Sequence, residues 1–382
     1  VFLTTFLILD GTSKFDLEKS VLRKNEFIEG VFGTMIFFTK PLGRFISLFL
    51  TISLLLVGCA DNKNPQGNTP APTNETQAKK AEIKTKPDSM TKLKFGVASW
   101  SLQYWPLFVA EKQGLFKKYN LDLEIVRVES GVVAIRGLQS GDFKLISSLP
   151  ESVLVAASEG ANAKFIGTFN NQSMYQVLVS PNIKSVQDLK GKIAGTFQPG
   201  NGTDTQLKWW LKKNGLEPDK DIRIVNSGGI IERYTALMNG NVQATLVTPP
   251  YNYQAIQAGF KELAVMRDEL KTYNHDTIVA NGTVLKNEPE VARAFMAAIA
   301  EAIEFIKKDD NQQEVIKIGM EKMEMSEEYT KKLYDFLLPS MPDKGKLLVE
   351  GIEWAISTSK EAGALKKDIS ITDVVDENYY IK

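Results

Sequence analysis

Leu138-Gln139-Ser140-Gly141-Asp142 is followed by Pro150, Ala156 and Gly160, and Leu237-Met238-Asn239-Gly240-Asn241 is followed by Pro249, Ala255 and Gly259. Every one of the five matched pairs, Leu138/Leu237, Gly141/Gly240, Pro150/Pro249, Ala156/Ala255 and Gly160/Gly259, is separated by 99 positions. Leucine, alanine and glycine are common, so a single match means little. A Gly-x8-Pro-x9-Gly spacing that occurs twice at one offset points to a duplicated structural unit.

Working outward, the first copy starts with the strand pattern Leu93-Lys94-Phe95-Gly96-Val97-Ala98. Pro106 then opens a helix that Gly114 closes, Leu121-Asp122-Leu123-Glu124-Ile125 alternates as a second strand, a helix through Ile135 and Leu138 closes at Gly141, and Phe143-Lys144-Leu145-Ile146 reads as a third strand. The second copy repeats this order. It has a strand Lys192-Ile193-Ala194-Gly195-Thr196, a helix from Thr203 to Lys213, Lys213-Asn214-Gly215-Leu216 in the place of Lys112-Gln113-Gly114-Leu115, and a strand Asp221-Ile222-Arg223-Ile224-Val225. Alternating strands and helices predict an α/β fold of two similar lobes with mostly parallel sheets joined by right-handed crossovers. Ligands of such sheets bind beyond the carboxyl ends of the strands, so two facing lobes make a cleft. The chain is expected to cross between lobes at Tyr175 to Ser180 and to return at Thr277 to Leu285. Asn287 is then expected to cap a long helix whose core face is Val291, Phe295, Ala298, Ile299, Ala302 and Ile306. Two or more helices after it are expected to pack on the first lobe.

Composition removes other classes. Among 382 residues Lys+Arg and Asp+Glu are 46 each, so no long-range attraction favours nucleic acid. One cysteine, Cys59, and one histidine, His275, leave no disulfide, no expected metal site and no cofactor, and a Cys-His nucleophile pair would have to come from distant segments.

Cys59 has a different reading. Lys40 and Arg44 precede an uncharged run from Phe45 to Val57 that ends in Gly58-Cys59, the layout of a secretory signal. Leu56-Val57-Gly58-Cys59 resembles the bacterial lipobox, in which the thiol accepts a diacylglyceryl group. Residues 1–34 are expected to be an extension in front of a true start at Met35, 35–58 a lipoprotein signal peptide, and 59–92 a polar Pro/Asn/Thr/Lys tether unable to form a core. Lobe 1 is then expected over 93–178, lobe 2 over 179–282, and the return to lobe 1 with the C-terminal helices over 283–382.

The body of the chain resembles the solute-binding proteins of bacterial ABC importers in the nitrate, sulfonate, taurine and thiamine-pyrimidine group. The resemblance is carried by Pro106-Leu107-Phe108-Val109-Ala110-Glu111-Lys112-Gln113-Gly114-Leu115-Phe116, Leu138-Gln139-Ser140-Gly141-Asp142, Lys184-Ser185-Val186-Gln187-Asp188-Leu189-Lys190-Gly191-Lys192 and Ala236-Leu237-Met238-Asn239-Gly240, over about residues 93–310. It implies a type II periplasmic-binding-protein-like fold, a small-molecule solute and an ABC permease as partners, a monomer without catalytic activity, and a lipid anchor outside the cell. Where the group often has an acidic residue this chain has Lys144 and Gln243. The same group contains pyrimidine synthases that consume an active-site histidine and use a cysteine-rich motif. That motif is missing here, and His275 reads as structural. A secreted synthase-like enzyme and a solute sensor without transport are the alternatives.

Candidate ligand contacts follow from strand-to-helix loops. In Gln198-Pro199-Gly200-Asn201-Gly202-Thr203-Asp204, Thr203 and Gln206 have capping-box spacing, and amides at the helix start would favour an acceptor. Ser99, Trp100, Tyr104 and Trp105 crowd the loop after the first strand, where stacked rings suit a planar solute. Glu151, Ser152, Asn170, Pro249 and Tyr251 follow other strand ends. With only Arg233 near these loops, a neutral or zwitterionic aromatic or heterocyclic solute is expected over a simple sulfonate.

Overall fold

The computed structural model describes residues 84–381, so Cys59, the signal, the lipobox and the tether up to residue 83 lie outside the described residues. β1 (Thr91–Val97), β2 (Leu121–Arg127), β3 (Leu145–Ser148), β4 (Ala163–Asn170) and β10 (His275–Asn281) form one five-stranded sheet in the order β2-β1-β3-β10-β4. β5 (Gln176–Val179), β6 (Ile193–Thr196), β7 (Arg223–Asn226), β8 (Ala244–Val247) and β9 (Lys261–Val265) form the other in the order β7-β6-β8-β5-β9. The two orders superpose when β6 to β9 stand for β1 to β4 and β5 stands for β10. In each sheet four strands run one way and the strand that enters from the other lobe runs antiparallel to both neighbours.

The repeat seen in the sequence is a repeat of register. Phe95 pairs with Leu145 and Gly96 with Ile146 in the first sheet; Ala194 pairs with Ala244 and Gly195 with Thr245 in the second, again 99 positions on. Gly141 and Gly240 hold φ of 87° and 74° at the ends of the helices Gly131–Ser140 and Ile230–Met238. A Cβ is strained in that left-handed region, which is why both copies carry glycine there. Gly195 is kept for a different reason: a Cβ there would lie 2.7 Å from Ser227 Oγ.

The chain leaves the first lobe between β4 and β5, through residues 171–175, and returns between the helix Met266–Glu269 and β10, through residues 270–274. Both passages come several residues before the boundaries at 178/179 and 282/283 read from sequence, so β5 belongs to the second sheet and β10 to the first. The buried runs Gln176–Val179 and 275–280 are apolar or polar without alternation, because each strand is covered on both faces, and this hides which sheet it joins.

The long helix is Pro289–Ile306, with Glu288 as its cap; Asn287 instead ends the short helix Gly282–Asn287. Pro289 forces Glu288 out of the helical region, to φ −135° and ψ 50°, and so separates the two helices. Val291, Phe295, Ala298, Ile299, Ala302 and Ile306 are all buried as the spacing predicts, and Phe295 stacks on Phe95 at 4.7 Å. Helices Gln312–Met323 and Glu327–Leu337 add Val315, Leu333 and Tyr334 to the same core. The helix Val349–Glu361 buries Ile352 and Ala355 against Val153 and Leu154 of the first lobe, while its Trp354 meets Trp209 of the second edge-on at 5.9 Å. The tail packs on the first lobe, where the Tyr379 hydroxyl donates to Leu285 O at 2.9 Å. The two departures from the acidic pattern are accommodated: Lys144 pairs with Glu288, and Gln243 accepts from Ile193 N and donates to Gly240 O.

Candidate functional site

A cavity of about 120 Å³ lies where the carboxyl ends of the two sheets meet. This is well below the roughly 300–1,000 Å³ of drug-sized sites, so it suits a small solute. Gln103, Tyr104 and Ser148 reach it from the first lobe, Asn201, Arg233 and Thr248 from the second. Tyr175, at the end of the outward crossing, and His275 and Asp276, which open β10 just after the return crossing, close its floor. Solvent-facing loops cannot hold such buried polar groups, but two sheets brought edge to edge can.

The floor is electrostatically uneven. His275, 2% exposed, is pushed down to about 3 by burial and is a neutral imidazole. Its Nε2 lies 3.3 Å from Gln103 Nε2, and its Nδ1 accepts from Met174 N at 3.5 Å. Next to it, Asp276 sits at φ 56°, a left-handed conformation that aspartate tolerates better than most residues. Burial pushes its carboxyl up to about 7, partly offset by the Tyr104 hydroxyl, which donates to Oδ1 at 3.1 Å. Its Oδ2 is buried and has no hydrogen-bond partner among the described residues.

Arg233, 3% exposed, stands on the second lobe in the helix Ile230–Met238. Its Nε donates to Leu246 O at 3.2 Å and its Nη1 to Gly228 O at 2.9 Å. The Tyr175 hydroxyl is beside it, and burial draws its pKa downward. Among the described residues no carboxylate forms an ion pair with it.

The loop before the helix Gly202–Lys213 satisfies itself. Asn201, not Thr203, is the cap, accepting from Thr203 N at 3.0 Å, so the capping box expected with Gln206 does not form. Gln206 is instead buried and accepts from Ser173 at 2.6 Å. Asp204 accepts from Gly200 N and pairs with Lys208 at 3.0 Å, which makes it a brace for the loop. Asn201 also donates to Ser152 Oγ across the cleft at 3.0 Å.

Of the residues singled out in the sequence, Ser99, Tyr104, Ser152, Asn201 and Thr203 line the cavity. Gln198 and Gly200 line a separate outer groove with Arg136 and Glu159. Trp105 is fully buried in the first lobe, with Nε1 donating to Val315 O at 3.0 Å and its ring edge-on to Tyr334. Trp100 lies outside the cavity lining, donating to Lys322 O at 3.2 Å and packing on Phe108. The aromatic cluster therefore divides: Tyr104 faces the cavity, and the two tryptophans fix the loop to the C-terminal helices. Asn170 is buried, donating to Gln103 O, and holds the loop that carries Tyr104. Pro249 and Tyr251 also lie outside the lining; the Tyr251 ring packs on Tyr234 at 5.2 Å. Glu151 is fully buried beneath the cavity, accepting the Tyr273 hydroxyl at 2.9 and 3.1 Å, and burial pushes it up to about 7. Tyr175 and Asp276 belong to the lobe crossings and the strand after them, which strand-to-helix loops do not point to, and Thr248 lies one residue before the singled-out Pro249. Two lobe crossings in the sequence are the signal that places Tyr175 and His275-Asp276 on one floor.

Residues 101–313 match the family described as NMT1/THI5 like. Nitrate/nitrite binding protein NrtA from Nostoc sp. (strain PCC 7120 / SAG 25.82 / UTEX 2576) is 23% identical over 291 residues, 70% of this chain and 66% of that protein, so the chain spans slightly less than two thirds of that relative. Among solved structures, the alkanesulfonate-binding protein SsuA from Xanthomonas axonopodis pv. citri, bound to MOPS, is similar with a TM-score of 0.64 at 19% identity, covering 76% of this chain and 99% of that one. The periplasmic nitrate-binding protein NrtA from Synechocystis PCC 6803 has a TM-score of 0.62 at 16% identity, covering 77% and 88%. At these identities the likeness shows the two-lobed binding-protein fold.

Proposed function

The chain belongs to the NMT1/THI5-like family, and from that premise we propose that it is an extracytoplasmic receptor that captures a small organic solute between its lobes and hands it to an ABC importer. The observation that carries this reading is the cavity itself, lined from both lobes and floored at the two crossings. A solute that touches both sides favours the closed arrangement over the open one by its differential contacts, and a permease can recognise that closed form. The relatives named above as nitrate-, nitrite- and alkanesulfonate-binding make anionic solutes the first to try.

Lipidation of Cys59 would anchor this receptor to the outer face of a membrane, with the polar segment that follows it as the tether, ending before β1 begins at Thr91, two residues earlier than the boundary read from sequence. Cys59→Ser should move the protein from the membrane fraction to the soluble one, and persistent membrane attachment would refute the anchor. We read the site as binding and not turning over its solute, since the one imidazole in the sequence is buried with its two ring nitrogens turned to Gln103 and the Met174 amide.

A thermal-shift screen of nitrate, bicarbonate, sulfonates, amino acids and pyrimidines tests the receptor function. A solute at 100 times its Kd adds about 2.7 kcal/mol of stability. A panel without any shift would count against solute capture.

A further inference from the structure

Resting on the receptor reading, we infer that the lobes close with uptake of a proton, which the Glu151 carboxylate takes from solvent as the second lobe covers it and returns when the lobes part. Glu151 stands in the first turn of the helix Pro150–Ser158 on the first lobe and is fully buried. Part of its cover comes from the other lobe. Its Oε2 lies so close to Gly202 that a Cβ there would meet it at 2.7 Å, and Leu149, two residues before it, packs on the core of the second lobe. The start of this helix is sealed by an interlobe contact, so parting the lobes opens the carboxyl to water.

A carboxylate withdrawn from water stays ionised only with a counter-ion or several donors. No lysine or arginine pairs with Glu151 among the described residues. The Tyr273 hydroxyl, at 2.9 and 3.1 Å from the two oxygens, has one proton to donate between them. Burial outweighs this donor and the Glu151 backbone amide, and pushes the carboxyl up to about 7.

The charged groups on the elements packed around it do not replace the missing cation. In the helix Gly202–Lys213, Asp204 is held by Gly200 N and Lys208, and Lys212 and Lys213 are exposed. Arg136 of Gly131–Ser140, Lys271 of the return crossing, and Glu350, Glu353, Lys360 and Glu361 on or beside the C-terminal helix face solvent. Lys164 of β4 donates to Asp373 O. On β10 His275 is neutral and Asp276 accepts from Tyr104, while Tyr175 and Tyr273 are pushed upward and keep their protons.

The sign follows from the two environments. A hydrated Glu151 titrates at its ordinary value of 4.5 and the sealed one at about 7, so closure binds a proton between these values. As pH rises through that window the closed-to-open ratio falls by up to about tenfold per unit, and it levels off above it. A solute that needs closed lobes is then held more tightly in mildly acid medium.

The sequence has one cysteine, so in a full-length Cys59→Ser background Lys117→Cys and Lys220→Cys, exposed on the first and second lobes, take a pair of dyes specifically. Single-molecule energy transfer without added solute counts closed and open molecules. On going from pH 7.5 to 5.5 the closed-to-open ratio should gain about tenfold or more over the gain seen when Glu151→Gln is added. The same difference should persist in an Asp276→Asn background, which silences the other raised carboxyl. Tyr273→Phe removes a donor that favours the ionised form and should move the midpoint to higher pH; it decides the matter where the glutamine variant fails to fold. An equal pH response with and without Glu151→Gln, a difference of opposite sign, one transfer efficiency at every pH, or an unmoved midpoint in Tyr273→Phe overturns the inference. A solute that shifts the melting temperature in the wider panel while closure ignores pH would remove the proton and keep the receptor, whereas a panel without any shift would count against the receptor itself.

Discussion

Glu151 of the first lobe lies directly against the Cα of Gly202 in the second: a Cβ built on Gly202 would come within 2.7 Å of Glu151 Oε2 and 2.9 Å of Leu149 Cδ1. The lobes thus touch through a glycine at the start of the helix Gly202–Lys213, next to the cavity wall formed by Asn201 and Thr203. The closed arrangement depends on that absence of a side chain.

Gly202→Ala should therefore separate closure from folding. Alanine in a first helical turn is favourable in itself, so the melting temperature of the solute-free protein, free to open, should change less than that of the solute-saturated protein. Forcing a methyl against Glu151 costs about 1–3 kcal/mol of the closed state, and solute affinity should drop by about tenfold or more. Titration calorimetry beside a melting curve checks this, and an undiminished affinity would mean that the contact does not belong to the bound state.

The buried ionisable groups give a pH dependence whose sign can be worked out. Glu151 and Asp276 are both raised to about 7, so between pH 5 and 6.5 the folded chain holds two protons that the unfolded chain releases. His275, lowered to about 3, acts in the opposite sense, since the unfolded imidazole binds a proton over the same range. Net, the folded state binds about one proton more, and these groups make stability fall by about 1.4 kcal/mol per pH unit as pH rises. Tyr104 and Tyr273, the hydroxyls facing the two carboxyls, are pushed upward and do not titrate here. Glu151→Gln should make the profile flat, and Glu151→Gln with Asp276→Asn should reverse its slope. Denaturant melts at pH 5.0, 5.75 and 6.5 read this; parallel profiles for wild type and variants would exclude the assignment.

Trp100, in the loop after β1, and Trp105, the first residue of the helix Trp105–Lys112, should behave differently. Trp105→Ala removes a fully buried ring and the hydrogen bond to Val315 O, and should cost about 3–5 kcal/mol of stability. Trp100→Ala removes a ring that is 36% exposed, and should cost about 1 kcal/mol or less. Where folded, both variants should bind solute within a few-fold of wild type. A selective loss of affinity in either would bring that ring back to the ligand.

Trp354 bridges the lobes from the C-terminal helix, edge-on to Trp209 at 5.9 Å and to Tyr273 at 5.6 Å. Such aromatic pairs contribute about 0.5–1.5 kcal/mol each beyond their burial. Trp354→Ala should shift the solute-free protein toward the open form, seen as a larger radius of gyration by small-angle X-ray scattering and reversed by saturating solute. An unchanged radius would show that the helix Val349–Glu361 rides with the first lobe alone.

The sequence carried the architecture further than the site. Gly141/Gly240 and Gly96/Gly195 are constrained by backbone geometry and close packing, so the same residue recurs in both copies and the duplication can be read directly. The core face of Pro289–Ile306 was equally open to reading, because helical spacing alone defines it. The site was only partly legible. Asn201, Thr203 and Tyr104 follow strand ends and were found, whereas Asp276 and Tyr175 gain their meaning only when both chain crossings meet on one floor. Trp105 misled because its partner, Val315, is 210 positions away and no local pattern announces it.

Mass spectrometry of the small molecule released when undialysed, natively purified protein is unfolded tests solute capture most directly. One molecule per chain, chemically unchanged after prolonged incubation with the protein, is the predicted result. Release of nothing, even after loading with culture medium, or recovery of a converted product, would contradict a receptor that holds its solute between two lobes.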